Sequence, residues 1–215
     1  ADLDSIHFNR SLIELRPRIT IHRDLYNVSG GVNFMLAAED GHSKLHMYPY
    51  LRAHYQIVND AFTLYGELKG DLIEHTQRNT WQENPFMKGI AGLGNTNNKM
   101  TVEGGMNVKL DHDLTFMASA SYGRFKEYMF FANVEDSLYP VTYTTLYDDA
   151  NQLQIKAALE YNYNNKINIG FHTEFNQFKL DELSKPLFTP LLRVGISGGY
   201  TIADKIYAKA DIFLN

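Results

Sequence analysis

The sequence predicts an all-β protein, an antiparallel up-and-down transmembrane β-barrel with about ten strands visible, alone or as part of a larger barrel. Three observations carry this. Apolar and polar side chains alternate over segments of about a dozen residues, roughly twice the usual strand length of a soluble sheet. The connections between those segments alternate short and long. Aromatic residues make up 13% of the 215, with 14 Tyr, 13 Phe and a single Trp, and barrels place such rings at the water–lipid boundary.

The alternation is clearest over residues 44–75, read as two long strands and a tight turn. Leu45, Met47, Pro49, Leu51, Ala53, Tyr55 and Ile57 fall on one parity, and His46, Tyr48, Tyr50, Arg52, His54 and Gln56 on the other. Successive strand side chains point to opposite faces, so one face is apolar and the other polar. After Asn59 to Ala61 the pattern restarts, with Phe62, Leu64, Gly66, Leu68, Gly70 and Leu72 against Thr63, Tyr65, Glu67, Lys69 and Asp71. A dozen residues at about 3.3 Å each, tilted near 45°, rise about 28 Å, enough to cross the hydrocarbon core of a bilayer.

The other elements follow in order. Residues 1–11 show no period and form a leading segment; residues 12–215 form the barrel domain or a part of one. A first strand covers 12–22, with Pro17 marking an edge or a bulge because proline cannot donate to a ladder. A second begins at Tyr26. Residues 76–99, rich in Asn and Gly, read as a long loop, the kind that is functional or disordered. A strand at 100–111 and another from Leu114 follow, the latter with Arg124 and Lys126 on its formerly apolar parity, so that it leaves the bilayer or passes a bulge there. A loop is expected over 132–150, then strands at 153–163, 167–176, 192–202 and 206–214. The turns at 59–61, 112–113, 164–166 and 203–205 are short, and the connections at 39–43, 76–99, 132–150 and 181–186 are longer. Outer-membrane barrels keep this pattern, with short periplasmic turns and longer outside loops; the crossings of a soluble sandwich do not.

Composition excludes some partners. With 20 Lys and Arg against 25 Asp and Glu, the formal net charge is −5, which gives nucleic acid no electrostatic footprint. Cysteine is absent, compatible with an oxidising envelope compartment without requiring one. No run of about eighteen apolar residues exists, so no transmembrane helix is expected, a fact that leaves a barrel untouched. The opening residues ADLDSIHF lack the regions of a signal peptide, so the expectation is that the numbering starts after export processing or inside a longer gene.

The stretch YPYLRAHYQIVNDAFTLYGELKGDL followed by ENPFM, with Asn84, Pro85 and Phe86, resembles the barrel region of TonB-dependent-receptor-like outer-membrane proteins of Bacteroidetes type. The resemblance implies uptake or export across the outer membrane. The chain departs from that pattern in having no plug domain, too few strands and no terminal aromatic residue, so the expectation is either a small barrel or a fragment of a larger one.

The polar parity carries the candidate site residues Arg52, His54, Glu67, Lys69, Glu103, Lys109, Glu160, Arg193 and Lys209. They read as the lumen-facing wall of a polar conduit, or as opposite charges that pair across strands and fill the interior. Leu45, Leu64, Val108, Leu159, Ile196 and Ala208 are expected to face lipid. His46 and His54, about 26 Å apart by strand rise, cannot share a metal ion; Ser121, Ser197, His172 and Glu174 show no spacing that makes them a hydrolytic set. No cofactor, metal site or catalytic residue is therefore expected. Trp81 and Phe86 in the long loop are candidates for contact with a ligand or partner. The expected function is transport or binding of a small solute at the outer membrane, with the lipid bilayer as partner. The rivals are a structural or ligand-binding barrel without transport and a membrane-embedded hydrolase.

Overall fold

The computed structural model describes residues 10–39, 42–58, 60–87, 93–134, 142–164, 166–202 and 206–214. Strand β1 (Arg10–Leu15) and strand β2 (Arg18–His22) both pair with β3 (Tyr26–Glu39). The single first strand read from the sequence is thus two pieces of one edge, and it starts two residues earlier, at Arg10. Pro17 is the reason for the break: it has no N–H to give the ladder, although its carbonyl still accepts from Val32 N at 3.4 Å. Then come β4 (His42–Val58), β5 (Phe62–Glu74), helix α1 (Gln77–Glu83), β6 (Asn95–Lys109), β7 (Leu114–Val134), β8 (Thr142–Tyr163), β9 (Ile167–Leu180), β10 (Leu192–Ile202) and β11 (Ile206–Leu214). Each strand from β3 onward pairs antiparallel with the next, giving one meander with β1 and β2 at one edge and β11 at the other. The sheet is up-and-down and open.

Two expected loops are shorter than the sequence suggested. Within 132–150, residues 142–150 already belong to β8. Its opening run TYTTLY is β-branched and aromatic, as strands prefer, but Asp148 and Asp149 disguise it. Asp148 is buried and accepts from Glu182 N and Leu183 N at 2.8–3.2 Å, and Asp149 accepts from Glu127 N at 3.0 Å. Within 76–99, Thr76 caps α1 through a reciprocal pair with Asn79, and β6 begins at Asn95. Residues 135–141 and the turn at 203–205 lie outside the described residues.

Bulges interrupt the long-loop halves of β5, β6 and β7, between Lys69 and Asp71, Asn98 and Met100, and Phe125 and Tyr128. The last one decides between the two readings of Arg124 and Lys126: the strand passes a bulge, with Glu127 at φ 55°. An extra residue on one strand reverses which face its side chains take. Leu72, on the apolar parity in the sequence, accordingly turns to the polar face and packs with buried Met35 and Tyr48.

Glycine shows which face is concave. On the apolar face a Cβ added at Gly30 or Gly198 would meet nothing within 4 Å, and at Gly66 or Gly104 its nearest neighbour would be 3.9 Å away. On the polar face one at Gly70, Gly105 or Gly195 would strike the ring of Tyr48, Tyr65 or His172. The polar side chains converge; the apolar ones splay. Isolated in water, the convex face leaves Leu45, Met47, Ile155, Ile196 and Ile212 exposed, a contiguous apolar surface that a soluble protein would not carry.

That surface has the height of a bilayer. On β8 the convex side chains run Tyr163, Tyr161, Leu159, Ala157, Ile155, Leu153, then turn polar at Asn151, level with Arg124 and Lys179. From Leu153 to Tyr163 is about 33 Å along the strand, or about 25 Å of height after tilting. Tyrosines mark its short-turn edge. Tyr26 and Tyr55 are partners there, and their level reaches β8 at Ala157 through Leu64, Met106 and Ala118. The edge on β8 is nevertheless Tyr163, six residues further on and level with Tyr200 through Ile167. The band therefore slips by about one residue per strand, which at 3.3 Å rise and 4.8 Å spacing is a slope of about 35°, the tilt of barrel strands.

Candidate functional site

The register places the predicted polar residues in rows across the concave face. One row runs Ser29, Arg52, Glu67, Glu103, Ser121, Gln154 and Asn176. Glu67 and Glu103 are direct partners, a like-charge pair that costs stability unless offset. Lys69 offsets it at 3.1 Å from Glu67, and the Tyr65 hydroxyl donates to Glu103 at 2.9 Å. Arg52 Nε donates to His54 Nε2 at 2.7 Å. Since a guanidinium only donates, that imidazole nitrogen is the acceptor and His54 is neutral with its proton on Nδ1.

The adjacent row runs His54, Tyr65, Gly105, Ser119, Lys156, Glu174 and Arg193. Glu174 stands between the two cations and also accepts amide protons from Gln154 and Asn176, each at 2.8 Å. Nearer the short turns, Lys109, Thr115, Glu160, Gly170, Ser197 and Asp211 are in register, and Lys209 pairs with Asp211 at 3.1 Å. Cations and carboxylates are interspersed, with Lys69 on Glu67 and Lys209 on Asp211 in direct contact, so the face is polar without being strongly basic or acidic.

Toward the long loops the concave face fills. Arg18 lies 3.9 Å above the Tyr50 ring and donates to Val32 O and the Asn33 side chain; Asn33 in turn donates to Gly70 O at 2.8 Å. Phe125, Tyr128, Phe130 and Phe178 form an aromatic cluster with ring centroids 4.9–5.8 Å apart. Burial, then Glu83 and Glu174, raise the Tyr128 hydroxyl pKa above its usual value. This cluster was not legible beforehand, because the bulge at Glu127 is what turns Tyr128 and Phe130 inward.

Trp81 and Phe86 lie apart from the charged rows. Trp81 is on α1 beside Gln77, Arg78 and Gln82, and Phe86 is exposed with its carbonyl accepting from Tyr143 N at 3.1 Å. This bond and the parallel bridge between Met87 and Tyr143 tie the 76–87 segment to the start of β8.

Among the described residues, nothing on the face has the geometry of a catalytic set. The His172 ring is 5.5 Å from Phe213, Ser197 faces Gly170, and among the described residues no hydrogen bond joins Ser121 or Ser197 to His172. Among the described residues no group of three His, Asp or Glu side chains is placed to hold a metal ion. His46 and His54 instead stack on Tyr48 and Tyr65, with centroids 6.0 and 5.9 Å apart.

No family model and no curated protein sequence matches the chain. Solved structures do. The FrpB iron transporter from Neisseria meningitidis matches at TM-score 0.60 and 10% identity, over 92% of this chain and 31% of that one. The pyoverdine outer membrane receptor FpvA from Pseudomonas aeruginosa PAO1, bound to pyoverdine, matches at 0.59 and 15%, over 96% and 31%. The copper transporter OprC matches at 0.57 and 14%, over 91% and 32%. The chain spans about a third of the length of these proteins. At such identities the likeness is one of fold alone, that of part of the β-barrel wall of these proteins.

Proposed function

We propose that the chain forms part of the wall of an outer-membrane barrel that transports or binds a small solute, of the TonB-dependent-receptor type. The observation that carries this reading is the apolar convex band, about 25 Å tall and edged by Tyr26, Tyr55, Tyr163 and Tyr200, wrapped around a face of interspersed charges of both signs. The bilayer of the bacterial outer membrane covers the convex face. Arg52, His54, Glu67, Lys69, Glu103, Lys109, Glu160, Arg193 and Lys209 line the lumen, where they give a hydrated surface along which solutes of either sign pass without a deep trap. Trp81 and Phe86 stand at the outer rim, where a solute or surface partner meets the barrel first. The function is passage or binding, not chemistry. In the comparable barrels an iron transporter, a pyoverdine receptor and a copper transporter are represented, which supports a small solute as cargo.

The test is fractionation and reconstitution of the complete protein. It should co-sediment with outer membranes, require detergent, and admit or bind solute in planar bilayers and uptake assays. A detergent-free soluble protein, or hydrolysis abolished by a single Ser or His substitution with no passage, would reject the reading.

A further inference from the structure

At the long-loop end of the concave face, strands β3 to β7 enclose a cleft of about 490 Å³. Its lining brings Lys44, His42 and His46 of β4 opposite Lys126 of β7, over a floor of Ala37 and Leu72, with Asn95 and Asn97 of β6 between. The amide oxygens of both asparagines are already engaged. Arg10 donates to Asn95 Oδ1 at 2.7 Å and Tyr48 donates to Asn97 Oδ1 at 2.8 Å. Arginine has no acceptor, so the Asn95 orientation is fixed by chemistry, and each asparagine is left with its NH₂ group to offer. Neither Lys44 nor Lys126 forms an ion pair among the described residues. Glu127 is the sole carboxylate on the described lining, and its backbone N–H and C=O are held by Asp149 and Thr96.

A cleft whose polar side chains, Glu127 apart, can all donate, and whose lysines outnumber its one carboxylate, complements an acceptor-rich ligand. We propose that it binds a small solute through a carboxylate or phosphate oxyanion, with Lys44 and Lys126 as the two charged clamps and the Asn95 and Asn97 amides as neutral donors. This rests on the barrel reading above and narrows it to cargo, or a cargo chelate, that carries negative charge.

Calorimetric titration of the complete protein in detergent with citrate, and separately with inorganic phosphate, tests it. At least one probe should bind, about tenfold or more weaker in the double variant Lys44→Gln/Lys126→Gln, as loss of charged hydrogen bonds requires. Lys44→Arg/Lys126→Arg should retain binding, added salt should weaken it, and Lys185→Gln should leave it unchanged. Failure of both probes, or equal affinity in the double glutamine variant, overturns the proposal. Liposome passage of a neutral solute, measured in parallel, separates the two readings: passage without oxyanion binding overturns the cleft alone, and absence of both overturns the transport reading as well.

Discussion

Replacing Ile196 by arginine places a charge near the middle of the convex band. Its row, Phe116, Leu159, Phe171, Ile196 and Ile212, is apolar throughout, and half of the Ile196 side chain is open to whatever surrounds the sheet. In a bilayer that position is close to the midplane, where arginine on a barrel's lipid face costs about 2–4 kcal/mol, a loss of about 30- to 700-fold in the folding equilibrium. Tyr200→Arg, four residues nearer the short-turn edge, should cost about 0–1 kcal/mol, since the penalty falls toward the interface. Asn107→Arg puts the same charge on the concave face, where Asn107 is exposed beside Met117, and should change stability by less than about 0.5 kcal/mol. Leu64→Arg, level with Tyr55 at the short-turn edge, should cost as little as Tyr200→Arg. The assay is urea titration of the complete protein folded into phospholipid vesicles. Equal costs for Ile196→Arg and Asn107→Arg, or the larger cost at Asn107, would refute the assignment of the two faces.

Gly31→Ala drives a methyl group against the Pro17 carbonyl and should destabilise by about 1–3 kcal/mol, whereas Gly30→Ala, one residue away on the open face, should be nearly neutral in the same titration. Asp148→Ala strips the acceptor from Glu182 N and Leu183 N, costing about 1–3 kcal/mol locally; limited proteolysis should then nick residues 181–191 faster, and an unchanged pattern would contradict that tether. Burial, and next Arg10, hold the His75 pKa below its usual 6.5. The unfolded segment therefore takes up a proton more readily than the folded one, so local stability falls as pH drops below about 6.5. Cleavage between residues 76 and 94 should accelerate in mildly acidic buffer, and His75→Gln should flatten that dependence.

Much of the wall was legible because a period of two is a direct image of strand geometry. The rows of β8, β10 and β11 keep that period without interruption, as does β4 up to the register shift between Gln56 and Val58, and their parities match the two faces of the sheet. What escaped the sequence lies where the period shifts. The bulge between Lys69 and Asp71 turns Leu72 inward, the one at Glu127 does the same for Tyr128 and Phe130, and neither position stood out, since Gly70 is one of many strand glycines that can each mark a bulge and Glu127 carries no such mark. Asn95 to Asn98 read as loop because asparagine disfavours strands, yet the Thr96 hydroxyl donates to Glu127 O, and the Asn97 side chain accepts from Tyr48 at 2.8 Å, satisfying polar groups in a strand. The cleft beside them needed five strands in register before its two lysines could be placed on one lining. Parity alone could put individual polar residues on one face, and only the pairing across strands revealed that Lys69 forms an ion pair with Glu67 while Tyr65 and Gln154 donate to Glu103 and Glu174.

The most direct test of a membrane-facing convex surface is a nitroxide scan along β8 in outer-membrane vesicles, made simple by the absence of native cysteine. Single cysteines at 153 to 163 carry the label, and relaxation by lipid-soluble oxygen is compared with relaxation by a water-soluble nickel chelate. Oxygen should dominate at Leu153, Ile155, Ala157, Leu159 and Tyr161, and fall at Gln154, Lys156, Ala158 and Glu160, giving a period of two. A flat profile, or oxygen maxima on the even positions, would contradict the account.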